Sequence, residues 1–183
     1  MVGITEQKLK NKRFRKTEEK IISALLLSRD DLSMNNFLKT AEVSRSTIYR
    51  HHRNFYNISK NYENYLLRKF RRFLKALVKN KITLAKVYSR ILIFLIPNQK
   101  IILLILSRGN RKFIETLLSE LRVIVMKKVK NDKIFKIYLK EVSGVIEEWI
   151  YDGFNQKKIE EVVNQISYLT ETAWSRLGPL ASS

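Results

Sequence analysis

Between Ser33 and His52 the chain carries two short apolar-periodic runs, each preceded by a serine and separated by only three residues, Glu42-Val43-Ser44. Few backbone arrangements satisfy that pattern. Ser33 and Ser44 are placed as N-caps, whose hydroxyls accept a hydrogen bond from an otherwise unpaired N–H of the first helical turn. Met34, Phe37, Leu38 and Ala41 give the first run an apolar side, Val43 plugs the turn, and Ile48 is the inward residue of the second run, Arg45 to His52. An earlier helix is expected from Thr17, with Ile21, Ile22, Leu25 and Leu26 on one face and an end around Ser28 to Asp31.

Helical periodicity continues through the rest of the chain. A helix over Ser59 to Asn80 would align Tyr62, Leu66, Phe70, Phe73 and Leu77, with Arg68, Arg72, Lys75 and Lys79 on the opposite, solvated side. Further helices are expected at Thr83 to Ile96, Asn98 to Ser107, Arg111 to Val129, Lys133 to Tyr151 and Lys157 to Arg176, broken at Pro97, Gly109, Asn131 and Gly153 to Asn155. Nothing alternates as a strand does. The expected fold is all-α: a three-helix unit over residues 1–60, joined to a helical bundle over residues 61–183, with about nine helices in all. The greasy stretch Ile91 to Leu106 is interrupted by Pro97-Asn98-Gln99-Lys100, and each half falls short of the roughly 20 apolar residues that span a bilayer. No membrane association is expected.

Charge narrows the partner. The chain holds 36 Lys and Arg against 17 Asp and Glu, a formal net charge of +19, and residues 1–80 alone carry 19 basic and 7 acidic side chains. Such a field favours a polyanion, nucleic acid before anionic lipid. There is no cysteine, so disulfides and thiolate chemistry are excluded, and the N-terminal residues lack the apolar core of a signal peptide; a cytoplasmic location is expected. No Gly-rich phosphate loop, carboxylate pair or nucleophile with a placed base is visible, so neither catalysis nor a cofactor is expected. His51 and His52 are neighbours that point about 100° apart on a helix, and no carboxylate is spaced in sequence to join them; no metal site is expected there.

The second run has the residue types that read DNA from a helix-turn-helix. Arg45 can pair with a guanine edge, Ser46 and Thr47 can bond a phosphate or a base, and Tyr49 can give its hydroxyl to a phosphate. The string Phe37-Leu38-Lys39-Thr40-Ala41-Glu42-Val43-Ser44-Arg45-Ser46-Thr47-Ile48-Tyr49-Arg50-His51 resembles the DNA-binding segment of the tetracycline-repressor (TetR) family of bacterial regulators. A second similarity lies in Gly144-Val145-Ile146-Glu147-Glu148-Trp149-Ile150-Tyr151-Asp152-Gly153 and the amphipathic helix after it, which look like that family's dimerising C-terminal helices. The resemblance implies an all-helical homodimer whose N-terminal helices bind double-stranded operator DNA. By motif position, Thr47, Tyr49 and His51 look like residues near the phosphates, and Arg45, Ser46 and Arg50 like base or backbone readers. Ser33 and Ser44 complete the DNA-facing set. Glu42 departs from the pattern: the family usually has Gly there, at a position that prefers a left-handed backbone. The family also tends to place a Lys soon after the Tyr-x-His string, at the start of its fourth helix; here Asn54, Phe55, Tyr56, Asn57 and Ile58 intervene, a second departure, and Lys60 is the residue that stands nearest to that place. A basic arm, Lys8, Lys10, Lys12, Arg13, Arg15 and Lys16, adds contacts of the kind that such arms make.

The two last helices have apolar stripes wide enough to serve two contacts, and two arrangements satisfy them. In the first they pair with a second copy through Val142, Val145, Ile146, Trp149, Ile159, Val163, Ile166 and Thr170; in the second the stripes are used inside one chain. Between the two ends, Tyr88, Arg90, Phe94, Arg108, Phe113 and Arg122 punctuate Ile- and Leu-rich helices, compatible with a pocket for a small apolar inducer but equally with plain packing. The function expected is a sequence-specific transcriptional regulator, a homodimeric repressor released by a ligand or signal. The alternatives are a non-specific architectural DNA-binding protein, suggested by the charge, and a helical enzyme or membrane-surface protein.

Overall fold

A computed structural model of the chain describes residues 11–27, 33–78, 83–122 and 132–175, and among them every regular element is helical. In chain order these are α1 (Lys12–Leu27), α2 (Met34–Ala41), α3 (Arg45–His52), α4 (Ile58–Val78), α5 (Leu84–Leu95), α6 (Gln99–Ser107), α7 (Phe113–Ser119), α8 (Asp132–Tyr151) and α9 (Ile159–Ser175). Short 3-10 turns at Phe55–Asn57, Ile96–Asn98 and Gln156–Lys158 lead into α4, α6 and α9. The expected helix ends at Ser28 to Asp31, Asn80, Val129 and Arg176, the break at Asn131, and the basic residues Lys8, Lys10 and Lys79, lie outside the described residues.

Two helix starts were read from serine, and both hold: Ser33 accepts from Asn36 N at 3.3 Å and Ser44 from Thr47 N at 3.1 Å. The start of α1 differs. Asn11 Oδ1 accepts from Arg13 N at 3.0 Å and Phe14 N at 3.2 Å, while Thr17 lies a turn further on and donates its hydroxyl back to Arg13 O at 3.1 Å. Asparagine caps at least as well as threonine, and the Lys and Arg that follow it are good helix formers, so the helix extends toward the N-terminus. Lys12, Arg13, Arg15 and Lys16 are therefore exposed on a helix rather than strung along an arm.

The break expected at Pro97 is present as the 3-10 turn that separates α5 from α6. Pro97 sits in the first turn of the 3-10 segment, where its missing N–H is tolerated, and the buried Asn98 side chain donates to Phe94 O at 2.6 Å. The helical path is tightened there and carried through. Leu84–Ser107 thus forms one helical stretch that is long and apolar enough, by length and composition, to cross a membrane, and 44% of its most apolar window is buried within the protein.

The chain forms two compact units: Met1–Lys69 with Lys100–Arg111, and Phe70–Gln99 with Lys112–Ser183. The division falls inside α4, beyond the boundary at residue 60 read from sequence, and α6 returns to the first unit. The first unit's core joins Ile21, Ile22, Ala24 and Leu25 of α1, Phe37 and Ala41 of α2, Ile48 of α3, Ile58, Tyr62 and Tyr65 of α4, and Leu104 of α6. Polar ties run around its rim. Arg108 donates to Leu25 O at 2.8 Å, and Asn110 donates to Glu63, whose other oxygen holds Lys60 at 2.6 Å.

The turn between α2 and α3 has the left-handed residue that the resemblance implied at the position of Glu42. Glu42 has φ 50° and ψ 45°, its N–H closes on Leu38 O and Lys39 O, and its carboxylate reaches Lys20 Nζ at 2.5 Å. Glycine meets this conformation without a Cβ penalty. We expect Glu42→Gly to raise the thermal unfolding midpoint by about 2–4 °C; an unchanged or lower midpoint would mean that the exposed Lys20 contact outweighs the backbone strain.

The second unit packs α8 against α9 and α7, and α9 against α5. Phe70, Phe73 and Phe94 cluster with ring centroids 4.8 to 6.0 Å apart, and Arg71 grips Glu120 with two hydrogen bonds of 2.8 and 2.7 Å. A chain of hydroxyls crosses its interior: Tyr88 Oη lies 2.6 Å from Tyr138 Oη, which lies 3.0 Å from Thr170 Oγ1, and Thr170 donates to Ile166 O at 2.7 Å. At the end of α8, Gly153 (φ 81°) and Phe154 (φ 58°) turn the chain back, with Phe154 N bonded to Trp149 O. Trp149 closes this corner itself, its indole N–H donating to Asn155 O at 2.8 Å and its ring meeting Phe154 edge-on. Beside it, an open groove of about 360 Å³ is lined by Glu148, Asp152 and Glu161 together with Lys158.

Candidate nucleic-acid interface

Helix α3 has two sides of opposite character. At about 100° per residue, Ile48, His51 and His52 occupy one arc of roughly 100°, and Arg45, Ser46, Tyr49 and Arg50 occupy the complementary arc of roughly 140°. The first three are buried and the latter four exposed, Tyr49 by 51%. Thr47 lies half-buried between them. Its hydroxyl and that of Ser46 gather on Ser44 Oγ, at 2.9 and 2.8 Å, so the start of α3 presents three hydroxyls in one cluster at the positive end of the helix dipole. Such a cluster can donate to an anionic oxygen.

Acidic groups are largely cancelled around this face. In the described part of the first unit, Glu19 pairs with Arg15 at 3.7 Å, Glu42 with Lys20, Glu63 with Lys60, and Glu18 is buried. Arg45, Arg50 and Arg53 enter no ion pair among the described residues. Exposed, uncommitted guanidinium groups of this kind bind phosphate or the edge of guanine. Lys60 stays exposed but is drawn to Glu63, and Ser33 is committed to capping α2.

His51 is not on the exposed face. It is 4% exposed, its Nδ1 lies 2.5 Å from Glu18 Oε1, and Phe14 stacks on its ring at 4.1 Å with planes 6° apart. The expectation of a residue beside the phosphates gives way to an anchoring one, because a buried carboxylate binds the imidazole from within. That carboxylate was not visible from spacing along the chain. Glu18 lies on α1, yet the histidines that it joins are on α3, His52 Nε2 being 3.2 Å from its Oε2. Tyr62 of α4 donates its hydroxyl to the same oxygen at 2.5 Å. Burial alone would raise the Glu18 carboxyl, but the hydrogen bond of His51, the close approach and attraction of His52 and the Tyr62 hydroxyl lower it to about 2. Burial first, and then Glu18, push the Tyr62 phenol well above its usual range. One signal was available: Glu18 precedes Ile21, Ile22 and Leu25 by one and two helical turns and so sits in the apolar stripe of α1, where a solvated acid has no place.

The set assigned to a dimer contact is mostly interior. Val142, Ile146 and Ile166 are 0% exposed and Trp149 2%, Val163 is buried, Val145 and Ile159 are half-buried, and Thr170 belongs to the hydroxyl chain. Among the described side chains, the large apolar ones that α8 and α9 leave exposed are Ile137, Tyr151 and Tyr168. Among the described residues no group of three or more His, Asp or Glu side chains is arranged so that it could hold a metal ion. Comparison of the chain with models of known families, with curated proteins and with solved structures found no match.

Proposed function

We propose that the protein is a sequence-specific DNA-binding transcriptional regulator of the TetR type, acting as a homodimeric repressor that a ligand or signal releases. The observation that carries this reading is the division of α3, whose buried side anchors it while Arg45, Ser46, Tyr49 and Arg50 face solvent without competing carboxylates. Placed in a major groove, Arg45 and Arg50 read base edges or grip the backbone, and the hydroxyls of Ser44, Ser46, Thr47 and Tyr49 supply phosphate contacts that fix register. Exposed Lys12, Arg13, Arg15 and Lys16 on α1 add sequence-independent attraction. Pairing through α8 and α9 would set the spacing of two half-sites.

Selection of bound duplexes from a random pool, followed by gel-shift titration at physiological salt, tests this directly. A regulator of this kind discriminates its selected site from random DNA by at least about 10³-fold. Arg45→Ala should then weaken the selected site by about 10- to 100-fold and relax the preference at one base position. The net charge of +19 favours a second reading, a non-specific architectural protein. In that case selection enriches nothing, and every duplex shares one steep salt dependence.

A further inference from the structure

We infer that Glu18 is a positioning residue for the DNA-facing helix, fixing the roll and register of α3 from behind through His51, His52 and Tyr62. The inference rests on the DNA-binding reading of α3 for its consequence, though not for its geometry. Eight residues make a helix too short to hold its own shape in water, so tertiary contacts decide where it lies. On its apolar side α3 offers a single aliphatic group, Ile48; the rest of its buried side is two imidazoles, 4% and 2% exposed. Burying such rings is costly unless an anion or hydrogen bond compensates them. Neither ring nitrogen of His52 makes a hydrogen bond among the described residues, and the charge of Glu18 at 3.2 Å is what faces it. The same carboxylate takes His51 on one oxygen and Tyr62 on the other, so a single anionic group ties α1, α3 and α4 together. Phe14 covers the outer face of the His51 ring and leaves it no second seat.

The consequence separates two kinds of binding. Attraction between exposed arginines and phosphates tolerates displacement of the helix, whereas base reading requires placement to within about 0.5 Å. Replacing the carboxylate of Glu18 by an amide sets an N–H₂ against groups that need an acceptor. Helix α3 then loses its fixed pose while its outward charges remain unchanged.

The test uses the full chain as wild type, Glu18→Gln, and Ile22→Val as a core variant in the same unit that leaves the Glu18 carboxylate in place. Two quantities are measured: affinity for a selected duplex against a random one, and amide exchange over Ile48 to His52 against α8. Glu18→Gln should keep its helical circular dichroism, lose about 10-fold or more on the selected duplex, and stay within about 3-fold on random DNA. Its α3 amides should exchange about 10-fold faster or more, with α8 unchanged. Ile22→Val should do neither. If Glu18→Gln does not fold, Tyr62→Phe removes one donor of the cluster and should give the same pattern more weakly. Wild-type exchange in α3 of whichever of these two variants folds overturns the inference. Faster exchange in α3, in a protein whose wild type prefers no sequence, leaves Glu18 as the positioning residue and overturns the regulator reading instead.

Discussion

Acidification is expected to remove roughly 3 kcal/mol of folding stability through Glu18 alone. Its carboxyl lies at about 2 in the folded protein against an ordinary value of 4.5. As pH falls the unfolded chain therefore takes up the proton first, and stability declines in step. The contribution is complete above pH 4.5 and is lost as pH falls through the folded value near 2. The groups facing the carboxylate are His51 and His52 from α3 and Tyr62 from α4. Urea titrations at a series of pH values between neutrality and pH 3, on wild type and Glu18→Gln, measure it. Wild type should lose stability more steeply than the variant below pH 4.5. Parallel slopes would place the acid sensitivity elsewhere.

Trp149→Ala should cost about 3–5 kcal/mol, the loss typical of a buried aromatic. At 2% exposure Trp149 fills the turn from α8 into α9, and the variant also abandons the indole hydrogen bond to Asn155 O. That energy is spent within one chain. Denaturant titration at two protein concentrations should therefore show the same decrement at both. A variant with wild-type stability but a weaker self-association would return Trp149 to a surface between copies.

How much of this was legible depended on the range of the interactions. Helix α3 was read residue for residue as Arg45 to His52 because its start is set by Ser44, one residue away, and its apolar period by Ile48. The left-handed residue at Glu42 was expected only through the resemblance, from the Gly usual at that position, and the structure has it. Thr17 misled because Asn11, upstream, offered an equally good cap. Pro97 marked the junction of α5 and α6 correctly, since proline's missing N–H is a local matter, but not that a 3-10 turn, with Asn98 bonded to Phe94 O, carries the helical path through it. The role of His51 was out of reach, since the partner that decides it is a carboxylate on a different helix. For α8 and α9 the periodicity located the apolar stripes well and could not say which surface covered them. The structure covers them largely from within, with α8 on α9 and α7 and with α9 on α5.

The hydroxyl chain in the second unit has a direction. A carbonyl can only accept, so the proton of Thr170 is committed to Ile166 O, and its oxygen must receive the proton of Tyr138. Tyr138 in turn receives the proton of Tyr88. Among these three bonds, that ordering gives every hydroxyl proton an acceptor. The two tyrosines are thus unequal despite their mirrored distances. Tyr88→Phe empties an acceptor site on Tyr138 and strands no proton, whereas Tyr138→Phe deprives the Tyr88 proton of its acceptor in the protein interior. A pair that looks symmetric on a contact map is a one-way relay, and its two Phe substitutions should differ in cost.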